Sequence, residues 1–234
     1  MDKRIRELKE RVYSANLMLK HNNLITLTWG NVSEYDREMG LVAIKPSGID
    51  YDTMTAEDIV VTDLDGNVAC GRLRPSSDLA THIQLYKGFD TVCAVAHTHS
   101  RWATVFAQAG LDIPMLGTTH ADAFYGDVPC TRELTAEEIA GEYERATGDV
   151  IVERFKALDP TAIPGVVVKS HGPFTWGADA FDAVKSSIIL EEVAMMAYHT
   201  LRLNSEVKFS EELAYKHYAR KHGHNAYYGQ GDKK

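Results

Sequence analysis

"TVCAVAHTHSRWATV" (residues 91–105) ends a short apolar run on two histidines one residue apart. The run at 92–96 is small or β-branched and has the length of a buried strand. Residues two apart on an extended strand share a face about 7 Å apart along the backbone, so His97 and His99 project together. They are either polar strand-end residues or two ligands aimed at one ion. "GVVVKSHG" (165–172) is a second β-branched run that delivers a histidine, His171, beyond its end.

Around these runs, helical and strand periodicities alternate. Ile5, Leu8, Val12, Ala15 and Leu19 fall at helical spacing, and "ADAFDAVKSSIILEEVAMMAYHTLRL" (178–203) is the longest helical segment. "LITLTWGNVS" (24–33) and "LVAIKPSG" (41–48) read as strands ending in glycine-containing turns. "IVVTDLDGNVAC" (59–70) reads as a hairpin with an Asp-Gly turn. "TAED" at 55 and "TAEE" at 135 have the spacing of helix-opening capping boxes. No Gly/Ser-rich or Pro-rich linker interrupts the 234 residues, which implies one α/β domain spanning 1–234.

Composition narrows the function classes. A formal charge of −8 without a basic stripe argues against nucleic acid as a partner. No apolar stretch approaches the roughly 20 residues of a membrane span, and "MDKRIRELKERV" lacks a signal-peptide apolar core, so a soluble, cytoplasmic protein without membrane partners is expected. Cys70, Cys93 and Cys130 have no CxxC spacing and fit a reducing compartment.

Two constellations carry chemistry. Asp78, in "RPSSD" just before a helix, joins His97, His99 and His171 as a set of three imidazoles and one carboxylate. That set suits a divalent transition metal, Zn²⁺ foremost, with Mn²⁺ and Co²⁺ also compatible with the ligand types. "TWGNVS", "KPSG" and "RPSSD" form the second constellation, placing small, hydroxyl and amide residues in turns where backbone N–H groups can surround phosphate oxygens. Lys45 is the natural cation if the anion needs one, and His21, His82 and His199 read as structural histidines.

Taken together, "TWGNVS", "KPSG", "RPSSD", "HTHSR", "GTTHAD", "IPGVVVKSHGPFTWG" and "KHYARKHGHNAYYGQ" resemble the C4-epimerising members of the class II aldolase/adducin-like family along essentially the whole chain. The resemblance implies a three-layer α/β/α fold around a mostly antiparallel sheet and a homotetramer with active sites between subunits. It implies Zn²⁺ on Asp78, His97, His99 and His171, and phosphate or substrate contacts from Gly30, Asn31, Ser47, Gly48, Ser76 and Ser77. Acid–base roles fall on Asp122 and on Tyr228, in a tail (about 222–234) that reaches a neighbouring subunit. Ala123 departs from the pattern, which has a bulky aromatic there. Glu144 and His217 are secondary candidates.

The implied reaction inverts C4 of a phosphorylated ketopentose, L-ribulose 5-phosphate, to D-xylulose 5-phosphate. C4 is not adjacent to the carbonyl, so simple deprotonation cannot invert it, and no dinucleotide fingerprint supports a redox route. Retro-aldol cleavage of C3–C4, rotation of the aldehyde and re-addition remain. The alternatives are a class II sugar-phosphate aldolase, which releases the aldehyde and carries glutamate where this chain has Asp78, an adducin-like interaction domain without catalysis, and a closed structural zinc site.

Overall fold

The computed structural model describes residues 3–224 together with Ala226 and Tyr227. Its frame is a seven-stranded sheet in the order β4-β3-β2-β1-β5-β7-β6, every pair antiparallel. The strands are β1 Asn31–Asp36, β2 Leu41–Ile44, β3 Val60–Thr62, β4 Val68–Cys70, β5 Ala94–His97, β6 Gly165–Val167 and β7 Pro173–Gly177.

Strand alternation explains the layers. Val32 on β1, with Ala94 and Ala96 on β5, meets Ala15 and Leu19 of α1 (Lys3–His21) and Ala180, Ala183 and Val184 of α7 (Ala180–Leu203). Small residues on both sides let the long helix lie close to the sheet. On the opposite face, Tyr35, Val95, Phe174 and Trp176 pack with Leu79, Ile83 and Leu85 of α2 (Leu79–Gly88) and Ile151 of α6 (Tyr143–Arg154) in the main core. The result is helix layer, sheet, helix layer, as the family resemblance implied.

The remaining helices lie around this frame: α3 Arg101–Ala109, α4 Thr118–Ala121, α5 Ala136–Ala140 and α8 Glu211–His222. Both capping boxes form. Thr135 Oγ1 accepts from the Glu138 N–H to open α5, and Asp58 accepts from the Thr55 N–H at 2.8 Å across a single 3₁₀ turn, Ala56–Asp58.

One strand differs from its sequence reading. Residues 24–30 are a loop, and β1 begins only at Asn31. Leu27 and Gly30 hold φ of +55° and +96°, which no strand accommodates. A Cβ on Gly30 would sit 2.7 Å from the His97 carbonyl oxygen, so this close approach requires glycine. The register then sets Asn31 opposite His97, and His97 opposite Phe174, in one row across three strands.

Candidate metal and substrate site

His97 is the last residue of β5, and His99 follows in the turn before α3. His171 lies in the turn between β6 and β7, where Ser170 takes a positive φ of 62°. The three imidazoles offer ligand nitrogens that all lie within 4.8 Å of one another. Only His97 is in the strand, so same-face projection accounts for one ligand, and the turn brings round the other.

Each ring is oriented from behind. His97 Nδ1 donates to the Pro173 carbonyl at 3.0 Å, leaving Nε2 facing His99 Nε2 at 3.2 Å. The Phe174 ring stacks on His97 at 4.1 Å between centroids. His171 Nδ1 shares a 3.3 Å hydrogen bond with the Tyr143 hydroxyl. Metal-binding histidines use their second nitrogen in this way. Burial, helped by the neighbouring imidazoles, lowers His99 and takes His171 down to about 3, so both are neutral and able to donate lone pairs.

Asp78 precedes α2, and its Oδ2 accepts from Asn31 Nδ2 at 2.6 Å and from Ser76 Oγ at 3.3 Å. Burial opposes its ionisation, but His97, His82, the Asn31 amide and His171 hold the carboxyl below its usual range. Two imidazoles held neutral by burial and a third with its Nε2 turned inward form a group that could hold a divalent cation, and the Asp78 carboxylate lines the same cavity, tied to Asn31 and Ser76.

A cavity of about 350 Å³ connects this set to the three turns. Gly30, Asn31, Ser47, Gly48, Ser76 and Ser77 all line it, together with Asp78, His97, His99, His171 and Lys45. Ten expected residues therefore share one cavity, which the sequence alone could not establish across a span of 142 positions.

Asp122 lies elsewhere. It ends α4 and lines a separate cavity of about 480 Å³. α8 covers it: Arg220 Nη2 donates to Oδ2 at 2.7 Å, His217 Nδ1 lies 3.0 Å from Oδ1, and Lys221 Nζ lies 3.2 Å from Oδ2. Burial opposes ionisation, yet Arg220, His217 and Lys221 hold the carboxyl below its ordinary range. His217 thus meets Asp122 rather than the imidazoles. Ala123 packs against the main core beside it. Tyr228 lies outside the described residues. The Glu144 backbone carbonyl accepts from Thr81 Oγ1.

Sequence reasoning missed three supporting groups. Tyr143 reads as part of an exposed charged helix, and only the fold brings it to His171. His82, read as structural, is fully buried, bonds Ser33 Oγ through Nδ1 at 2.7 Å and packs edge-on against Phe174, behind His97. Glu191 of α7 accepts the backbone N–H groups of Trp102 and Ala103 at 2.9–3.1 Å, capping α3 just beyond His99.

Residues 10–198 match the family model described as the class II aldolase and adducin N-terminal domain. The chain belongs to that family. A relative, L-ribulose-5-phosphate 4-epimerase UlaF of Salmonella paratyphi B, is 54% identical over 227 residues, covering 97% of this chain and 100% of that protein. The same name and identity recur in Salmonella typhi. Among solved structures, an L-fuculose 1-phosphate aldolase superposes with a TM-score of 0.73 at 27% identity, covering 90% of this chain and 94% of that one. The L-fuculose 1-phosphate aldolase of Glaciozyma antarctica gives 0.77 at 19% identity, over 93% and 82%. The class II aldolase fold is therefore common to this chain and to enzymes with other sugar phosphates in their names.

Proposed function

We propose that the protein interconverts L-ribulose 5-phosphate and D-xylulose 5-phosphate by inverting C4. The carrying observation is the single cavity lined by His97, His99, His171 and Asp78 together with the three small-residue turns. The full-length relative at 54% identity supports the choice of substrate. A bound divalent ion, Zn²⁺ in our reading, supplies Lewis-acid stabilisation of the negative charge that develops on the ketose oxygens.

The chain's own groups do the rest. Ser47, Gly48, Ser76 and Ser77 hold the phosphate, with Lys45 as counter-charge. Loss of the C4 hydroxyl proton to a base breaks C3–C4, and the bond's electron pair remains on the three-carbon enediolate. The other product is glycolaldehyde phosphate. After the aldehyde turns by about half a rotation, the C3 carbanionic centre adds to its opposite face and an acid protonates the new alkoxide. Asp122 and Tyr228 are the two groups we assign to these proton transfers, one on each face of the aldehyde. Because Asp122 is held by α8 of its own chain, away from its own imidazoles, we assign it to a neighbouring subunit's site in a homotetramer. Among the described residues no helix is long and apolar enough to cross a membrane, and the cytoplasm is the setting we propose.

The test is product identification from L-ribulose 5-phosphate with metal-replete, chelator-stripped and Zn²⁺-restored protein. D-xylulose 5-phosphate is expected, lost on stripping and recovered on restoration. Accumulating glycolaldehyde phosphate and dihydroxyacetone would make the protein an aldolase, and absence of turnover in every form would overturn the enzymatic assignment.

A further inference from the structure

The proposed reaction creates a difficulty that the cavity must solve. A two-carbon aldehyde phosphate has to come free, turn and rejoin, without leaving. Small and polar side chains dominate the substrate side of the cavity and give a turning fragment little to lean on. Trp29 is the exception. It lines the same cavity, the indole lies 6.1 Å from the His99 ring and tilted 47° to it, and 52% of the residue remains exposed. An aromatic of this size is costly to leave in water, and its flat face suits packing against C–H groups.

The backbone presents this side chain firmly. Leu27, a non-glycine residue, holds φ at +55°, and Gly30 holds +96°. The Trp29 N–H donates to the Thr26 carbonyl at 3.1 Å, and the Tyr51 hydroxyl donates to the Gly30 carbonyl at 2.8 Å. Gly30 is pressed against the His97 carbonyl, so the loop is registered directly on a proposed ligand. A strained, pinned loop carrying a half-exposed indole at the cavity is the arrangement expected of a functional wall.

We propose that Trp29 is a specificity-determining residue that retains the cleaved aldehyde phosphate, packing its face against the fragment's carbons while the phosphate stays in the turns. This rests on the C4 inversion proposed above. It makes Trp29 the side chain that commits the enzyme to re-addition rather than release.

Two measurements test it on the metal-loaded protein, with metal content and melting temperature recorded for each variant. The first is the partition of turnovers between D-xylulose 5-phosphate and free glycolaldehyde phosphate. Trp29→Ala should raise the released share and weaken binding of glycolaldehyde phosphate by about tenfold or more, while Trp29→Phe stays within about threefold of the parent, as loss and retention of an apolar wall predict. The second is indole fluorescence during titration with glycolaldehyde phosphate. The parent should respond, and Trp29→Phe, which keeps Trp102 and Trp176, should lose the response while still binding. A partition and affinity within about twofold of the parent in Trp29→Ala would overturn the proposal, as would losses matched by loss of metal. A parent that binds the fragment yet forms no epimer refutes the reaction assignment instead, and the fluorescence titration then decides Trp29.

Discussion

Lys45 is a buried ammonium at the foot of the cavity. It donates to the Ile49 carbonyl at 2.7 Å and the Pro46 carbonyl at 3.3 Å, with the Tyr51 ring 4.7 Å away, and burial lowers its pKa to about 8 against the opposing pull of Asp50. Two partners leave one of its three protons for a phosphate oxygen. The unfolded value is about 10.4, so between about pH 8 and 10.4 the folded state loses its proton first. In that window the burial penalty fades and this group's contribution to stability rises with pH, while its attraction for phosphate falls. The pH profile of kcat/KM should therefore decline above about pH 8 through a limb that Lys45→Met lacks. Over the same range the stability gap between parent and Lys45→Met should move toward the parent, and a gap independent of pH would show that Lys45 is not the titrating group. The histidines were legible in the sequence because strand periodicity and short β-branched runs mark where a strand ends. The Asp122 environment was not, because its partners lie nearly 100 residues away on α8, and no local pattern announces them.

At the scale of elements, the unusual join is between α7 and α3. Ser100 stands at the N-cap of α3 without a side-chain cap bond, and Glu191 supplies the acceptor from 89 residues further along. Glu191→Ala should cost about 0.5–2 kcal/mol, the usual range for a lost cap. It should also weaken metal binding, since His99 lies two residues before the helix. Glu191→Gln, which keeps an acceptor but loses the charge at the helix N-terminus, should fall between the two. Urea unfolding and a competitive Zn²⁺ titration check both effects, and unchanged zinc affinity in Glu191→Ala would separate this cap from the site. Most elements could be read in advance, since α1, α7, the β3–β4 hairpin and the capping boxes follow local rules of spacing. Two could not. Residues 24–30 have the apolar alternation of a strand, but positive φ at Leu27 and Gly30 breaks it. β7 opens on Pro173 and is held by pairing with β5 and β6, a tertiary cause with no local signature.

The whole molecule separates what the proposed chemistry needs together. The proposed metal donors and phosphate-binding turns share one cavity, while Asp122 sits in another under the cationic end of α8. In the homotetramer we propose, a working site takes its imidazoles from one chain and its acid–base groups from the next. His171→Asn and Asp122→Asn proteins should each be nearly inactive. Exchanged in equal amounts, they should recover about one quarter of the parent's rate, as random pairing across a cyclic interface gives. No recovery despite demonstrated exchange would return Asp122 to the site of its own chain. The Asp122–Arg220 clamp then has a consequence for how activity depends on dilution. On this assignment a solitary chain keeps the ion and the sugar phosphate but lacks a neighbour's Asp122 beside them. Turnover per chain should fall once dilution separates the chains, while zinc stays bound.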